Sequence, residues 1–382
     1  MNKIESPILY KRTKNGSIQQ WKVVVEGNAF YIIEGLKDGK LTTSIPYVCQ
    51  AKNIGRSNET TAEEQAKKEA AAAYKRKLDR NYYEDITKCD IKKYFEPMLA
   101  EKFEDLKDKI IYPVFSQPKL DGIRCILNNE GMWSRYGKPF VSAQHIYRIL
   151  KPLFDQNPSL IFDGELYCNK YMHDFNTIAS YVRTSKTLTP QKIKRIESEL
   201  QYWIYDLPSY TGGFYERFHE LIRILPTQSS CIVAVSTIAV NSREELDDIY
   251  YNRYLEDGFE GQIIRVGGSN YENYRTKALI KRKEFYDKEY KIIDVIEGVG
   301  NRTGTAGKFV MYLHDPNEWF KGMPWNKDNT FESNIKGNFS YLKKILKEKN
   351  NLIGKLATIR YPNLTPAGKP RFGYAVAIRD YE

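Results

Sequence analysis

The chain has 382 residues, 41% of them hydrophobic, enough for packed cores in roughly two to three domains of about 100–200 residues each. No apolar run reaches transmembrane length, and the opening residues (Met1 to Ser6) lack the apolar stretch of a secretory signal. The five scattered cysteines (Cys49, Cys89, Cys125, Cys168, Cys231) form no Cys-x-x-Cys pair, which argues for free thiols in a reducing cytosol rather than a zinc site or disulfide framework.

The formal charge of +11 points to a polyanionic partner, and its distribution sharpens the point. Residues 1–110 carry 21 basic against 17 acidic side chains, residues 111–288 carry 23 against 21, and residues 289–382 carry 15 against 10. A nearly neutral middle between basic flanks suits a central chemical domain with neighbours that grip a phosphate backbone.

In chain order, Trp21–Val25 and Ala29–Ile33 read as strands joined by a Gly27-Asn28 hairpin turn, with a second turn at Asp38-Gly39. Thr61 with Glu64 three positions later is a capping box, opening a helix through the alanine-rich run to about Arg80. Residues 1–90 are therefore expected to form a small α+β domain. The basic helix end (Lys75, Arg76, Lys77, Arg80) is either a nucleic-acid contact or a solvated face complementing the helix dipole. Near Pro97-Met98-Leu99-Ala100 the pattern changes to short strands, glycine turns and a few helices, a mixed α/β domain over residues 91–288. Glu289–Glu297 opens a third unit, continued by Gly298, Gly300, Gly304 and Gly307 and by strand-like Gly354–Ile359 and Tyr374–Ile378. Short strands with glycine turns over residues 289–382 fit a small β-barrel such as an OB-fold. The polar stretch Lys321–Lys336 reads as an insertion or loop of that barrel.

The chemistry concentrates in the middle. Lys119-Leu120-Asp121-Gly122-Ile123-Arg124 sits between two strand-like runs. A desolvated lysine is a nucleophile, Gly122 permits close backbone approach to a ligand, and Arg124 offers forked donors for phosphate or ribose oxygens. Taken alone, the hexapeptide reads equally as a surface hairpin with a Lys–Asp pair. Ser134-Arg135-Tyr136-Gly137 follows, then Phe162-Asp163-Gly164-Glu165-Leu166-Tyr167, where period two puts both carboxylates on one strand face. Trp203–Leu207 sets Tyr205, able to stack on a purine, beside Asp206. Glu260-Gly261-Gln262-Ile263-Ile264-Arg265 adds a carboxylate and a cation, and Leu279–Lys283 puts Lys281 and Lys283 on one face.

These six segments, in this order within Lys119–Lys283, resemble the nucleotidyltransferase superfamily of ATP-dependent DNA ligases, RNA ligases and mRNA capping enzymes. Pro97–Ala100 looks like the entry to a DNA-ligase adenylation domain, His173–Ile178 is similar to viral and phage-type ligases, and the ending Leu364–Phe372 resembles the barrel terminus of small phage-type DNA ligases, so the resemblance covers about residues 97–382. It implies an α+β multidomain architecture: an adenylation domain, a C-terminal OB-fold and the preceding small domain. It implies Lys119 as the nucleophile on the α-phosphate of ATP, Gln117 at the adenine edge and Tyr205 stacked on the base. Arg124 and Arg135 would hold AMP and later the 5′-phosphate of a nick. Glu165 and Glu260 would bind ribose or a divalent metal (Mg²⁺ or Mn²⁺), and Lys281 and Lys283 the α-phosphate. Arg265 stands where lysine is common, and no RxDK-like tetrapeptide ends the chain, leaving Lys369 and Arg371 as candidate pyrophosphate contacts.

The implied activity is sealing of nicked double-stranded DNA in replication, repair or recombination, by a monomer without membrane association. The compartment would be cytoplasm, or host cytoplasm or nucleus for a viral source. Alternatives are an RNA ligase, a capping guanylyltransferase or a non-catalytic nucleic-acid-binding protein; an NAD⁺-dependent ligase is disfavoured by the missing four-cysteine zinc module. Residues 1–90 resemble WGR-type domains loosely, through Ile54-Gly55-Arg56 before a capped helix.

Overall fold

The computed structural model describes residues 3–13, 15–185, 187–226, 229–313 and 328–379. The chain divides into two compact units, Met1–Lys93 together with Phe285–Glu382, and Tyr94–Glu284.

The first unit opens with strands β1 (Lys3–Glu5), β2 (Leu9–Arg12), β3 (Ile18–Glu26), β4 (Ala29–Leu36), β5 (Leu41–Thr43) and β6 (Tyr47–Val48), followed by helix α1 (Ala62–Leu78). β3 and β4 pair as a tight antiparallel hairpin with Glu26 opposite Ala29, so the turn is Gly27-Asn28. The sheet runs β1-β3-β4-β5, with β2 also on β3 and β6 also on β4. Thr61 and Glu64 cap α1 reciprocally, and Ala66, Ala70 and Ala73 bury its small face against Trp21, Val23 and Phe30. Small side chains let the helix lie close on the sheet, where burial of apolar area stabilises both.

The second unit contains β7 (Leu99–Lys102), α2 (Phe103–Leu106), β8 (Val114–Lys119), β9 (Ile123–Asn128), β10 (Gly131–Ser134), α3 (Gln144–Gln156) and β11 (Ile161–Tyr167). It continues with α4 (Phe175–Arg183), α5 (Pro190–Glu199), β12 (Gln201–Asp206), α6 (Phe214–Ile224), β13 (Ile232–Ala234), β14 (Ile238–Val240), α7 (Arg243–Ile249), β15 (Gly261–Val266) and β16 (Arg275–Lys283). Two five-stranded sheets result among the described residues, β10-β9-β11-β12-β13 and β14-β8-β15-β16-β7. The first buries Cys125, Leu127, Phe162 and Ile204 against Ile146, Leu150 and Phe154 of α3, Ile178 of α4 and Ile196 of α5. The second buries Val114, Ile264 and Ile280 against Phe103, Leu106 and Leu246.

The remainder of the first unit comprises β17 (Tyr286–Glu297), β18 (Ala306–Tyr312), β19 (Thr330–Ile335), α8 (Phe339–Lys347), α9 (Lys349–Leu352) and β20 (Leu356–Tyr361). A two-stranded ribbon of β21 (Asn363–Leu364) and β22 (Pro370–Arg371) and the strand β23 (Tyr374–Arg379) complete it. Strands β17-β18-β19-β23-β20 close into a barrel. The stretch read from sequence as an insertion or loop, Lys321–Lys336, is corrected over its second part: Thr330–Ile335 is a barrel strand, with Phe331, Ser333 and Ile335 buried. Glu332 and Asn334 alternate outward between the buried positions, which hides a strand from a reading by composition. Residues 321–327 lie outside the described residues.

Candidate active site

Period-two alternation builds one wall of a cleft in the second unit. On β8, Gln117 and Lys119 point to one side while Val114 enters the core. Ile263 and Arg265 on β15, and Leu279 and Lys281 on β16, line the same cleft, whereas Arg282 turns the other way to pack on Tyr250 and Phe103. Antiparallel register sets Lys119 opposite Gly261 and Gln117 opposite Ile263. The facing sheet contributes Arg124 from β9, Glu165 from β11 and Tyr205 from β12, and Arg135 follows β10. The cleft has a volume of about 250 Å³. Leu99, Ala100 and Leu120 supply apolar lining to a site otherwise rich in charge.

The Lys119 ammonium donates to Glu260 Oε2, and the Lys283 ammonium donates to the other oxygen of that carboxylate at 3.2 Å. Burial works against the Glu260 charge, but the two lysines more than offset it and hold the carboxyl below its ordinary range. Glu165 behaves in the opposite way. Burial pushes it up to about 8 despite the pull of Lys119 and Arg124, and the Tyr205 hydroxyl reaches it only at 3.5 Å. Lys281 is lowered by burial, and nearby Arg275, Lys119 and Lys283 add to the effect. Two neighbouring carboxylates with opposite shifts mark a site whose charge is poised for a ligand.

The remaining candidates are held in networks. Arg124 grips Asp163 with two donors, Nε at 2.9 Å and Nη2, and donates to the Met98 carbonyl at 2.7 Å. Gln117 donates to Thr237 Oγ1 at 2.8 Å and to the Tyr205 carbonyl at 3.3 Å, and accepts from Arg265 Nε at 2.7 Å. Arg265 also pairs with buried Asp206, and its guanidinium lies 5.3 Å from the Tyr205 ring centroid. Arg135 is exposed, with its guanidinium over Tyr136.

Eight of the expected residues line the cleft: Gln117, Lys119, Arg124, Arg135, Glu165, Tyr205, Arg265 and Lys281. Glu260 and Lys283 join it through Lys119. Lys369, after β21, and Arg371, in β22, belong to the other compact unit.

Two local readings are refined. A Cβ on Gly122 would sit 2.5 Å from the Leu166 carbonyl oxygen and 2.7 Å from Glu165 Cγ, so this glycine permits a close approach to β11. Asp163 and Glu165 do share a face, but only Glu165 lines the cleft, because Asp163 is fully buried beneath Arg124 and Tyr271.

Sequence reasoning missed Tyr271 and Arg217. The Tyr271 hydroxyl donates to Asp163 Oδ2 at 2.6 Å and accepts the Met98 N–H at 2.9 Å. Arg217, buried on α6, pairs with both oxygens of Asp206. Neither sits in a motif, and an arginine on an amphipathic helix carries no local sign of being buried.

Residues 97–283 match the family described as ATP dependent DNA ligase domain. The chain is 25% identical over 377 residues to the DNA ligase of African swine fever virus (strain Badajoz 1971 Vero-adapted), covering 92% of this chain and 83% of that one. It is 24% identical over 257 residues to the DNA ligase of Haemophilus influenzae, covering 66% and 82%. Identity to the Enterobacteria phage T4 DNA ligase is 23% over 262 residues, covering 56% and 53%. Among solved structures the chain is similar to a Lig E DNA ligase, with TM-score 0.59, 22% identity, and 74% of this chain and 99% of that one covered. Pmar-Lig_Pre gives TM-score 0.62 at 20% identity, covering 75% and 68%. These two structural likenesses establish the fold of the aligned part.

Proposed function

The chain belongs to the family of ATP-dependent DNA ligases, and from that premise we propose that it seals 5′-phosphate/3′-hydroxyl nicks in duplex DNA through AMP carried on Lys119. The observation that carries the reading is the Lys119–Glu260–Lys283 chain beside a cleft lined by Lys119, Tyr205, Arg124 and Lys281.

Lys119 Nζ, once it has lost its proton, attacks the α-phosphorus of ATP. The P–N bond forms as the bond to the β-phosphate oxygen breaks and pyrophosphate leaves. AMP then passes to the 5′-phosphate of the nick, regenerating the lysine. The 3′-hydroxyl attacks that phosphate, the phosphodiester forms and AMP is expelled. Such transfers rest on positioning and charge neutralisation. Tyr205 offers a ring to the base, and Gln117, fixed by Arg265 and Thr237, forms the base end of the cleft. Lys281, Lys283 and Arg135 supply positive charge to the phosphates, and Arg265 orients Gln117 and Tyr205.

A divalent cation, Mg²⁺ or Mn²⁺, fits the donor set, because hard cations take carboxylate oxygens and Glu165 is an enclosed carboxyl without a cationic hydrogen-bond partner among the described residues. Glu165 and Glu260 would hold it, and it would supply further neutralisation of phosphate charge. Loss of the Lys119 charge on adenylylation would leave Glu260 Oε2 open, with Oε1 still held by Lys283.

Three functional parts follow: residues 1–90, an adenylation domain over 91–288 and an OB-fold over 289–382. The closed barrel, and unit boundaries at 93/94 and 284/285, support that division. The exposed Lys67, Lys68, Lys75 and Arg76 of α1 support a DNA-binding role for the first part. Lys369 and Arg371 are the proposed pyrophosphate contacts. We propose a monomer acting in cytoplasm or, for a viral source, in host cytoplasm or nucleus; among the described residues no helix is long and apolar enough to cross a membrane.

The test is incubation with α-labelled ATP and Mg²⁺, wild type beside Lys119→Ala, resolved on a denaturing gel. The expected result is label on the wild type alone, discharged by nicked DNA. Absence of label from both proteins overturns the assignment.

A further inference from the structure

We propose that the outer face of α8, the helix between β19 and β20 of the barrel, is a second contact for the phosphate backbone of duplex DNA, separate from the catalytic cleft. This surface rests on the DNA-joining reading above and adds to it an anchor that nothing in the motif series indicates.

The helix is capped by Asn338, whose side chain accepts the Tyr341 N–H at 2.9 Å. Its apolar stripe is already covered: Leu342 and Ile345 are buried in the barrel core with Leu352 and Phe309. The opposite side carries Lys343, Lys344 and Lys347, all exposed. Positions i, i+1 and i+4 lie on one side of a helix, spanning about 6 Å of rise, which brings three ammonium groups to one surface. Duplex DNA presents one phosphate per about 3.4 Å of axis on each strand, so the spacing suits adjacent phosphates.

The surroundings favour an anion over other occupants. The acidic neighbour within reach, Glu348, lies 3.9 Å from Lys344, and Asp294 is taken by Lys349 at 2.6 Å. The apolar stripe is buried against the barrel, and the exposed apolar side chains left on the helix, Phe339 at 55% and Tyr341 at 39%, are too few to form a continuous face for a lipid surface. Flexible lysines on a covered helix read charge rather than base identity, so the contact is independent of sequence. Lysines with no part in adenylylation would thus add to the grip on DNA.

The test compares wild type with the triple variant Lys343→Ala, Lys344→Ala, Lys347→Ala. Binding to a nicked duplex is measured by fluorescence anisotropy in EDTA over a salt series, and adenylylation by labelled ATP. The expected result is unchanged adenylylation, roughly tenfold or more weaker binding near 0.1 M salt, and a salt slope lower by about two to three. The triple arginine variant should keep wild-type binding. Unchanged affinity and slope in an alanine variant that still takes the label overturns the proposal. So does loss of binding to acidic phosphatidylserine vesicles with DNA binding intact, which would make the face a membrane contact. If wild type itself takes the label but does not bind nicked duplex, the ligase reading fails and this surface falls with it, an outcome the wild-type control keeps distinct.

Discussion

Lys119 and Lys283 meet on opposite oxygens of one carboxylate, that of Glu260. The arrangement places two cations beside each other with a single shared counter-charge, and it ties the proposed nucleophile to β16 across the sheet. Glu260 holds the Lys119 ammonium in the resting protein, so chemistry at Nζ requires that pair to open. Lys283 then remains as a positive group beside the position where phosphate charge would lie.

Replacing Lys283 with Met should therefore leave the fold intact and slow formation of the enzyme–AMP adduct by about 10²–10³, the usual loss for one charged group at a developing anion. Single-turnover labelling with ATP checks this. A rate within threefold of wild type would mean Lys283 only neutralises Glu260.

Glu165 gives a pH prediction for the metal-free protein. An ordinary glutamate titrates near 4.5, but this one titrates at about 8 in the folded state. Between those values the folded protein binds the proton that the unfolded chain releases. Stability should thus fall as pH rises from about 4.5 to about 8, with the whole cost present above 8. Glu165→Gln removes that dependence and should be more stable than wild type by on the order of a few kcal/mol above pH 8. Urea unfolding in EDTA across the pH range measures it, and parallel curves for the two proteins would contradict it.

Tyr271 holds the lead-in segment in place by receiving the Met98 N–H and donating to Asp163. Tyr271→Phe removes that acceptor and donor, leaving a buried carboxylate short of one partner. The expected cost is about 1–3 kcal/mol in unfolding free energy. Because Met98 precedes Leu99 and Ala100 of the cleft, KM for ATP should rise several-fold while the maximal labelling rate changes little. A fall in rate at unchanged KM would place Tyr271 nearer the chemistry than its contacts indicate.

Asp206 is fully buried between Arg217 and Arg265. Asp206→Ala strands two guanidinium groups in the interior, and breaking such a pairing costs about 3–5 kcal/mol. Thermal melting should show a large drop, while Asp206→Glu should lose less.

Much of this was legible in the sequence because strand alternation is a local rule. Lys119, Glu165, Lys281 and Lys283 each stand in a strand whose period of two fixes which side they take, and Thr61 with Glu64 fixes the start of α1. The order of the motifs, read with their residue types, determined the family and singled out most of the charged cleft residues without any knowledge of how strands pair. Tertiary structure alone decided what each charge does there. Arg265 lies 59 residues from Asp206, and Tyr271 lies 108 from Asp163. Glu260 meets Lys119 across 141 residues. Contacts at such separations leave no periodic trace, since they depend on which sheet edges meet and how deeply a side chain is desolvated. Burial likewise split two carboxylates of similar sequence context, leaving Glu260 ionised between lysines and Glu165 protonated near neutral pH.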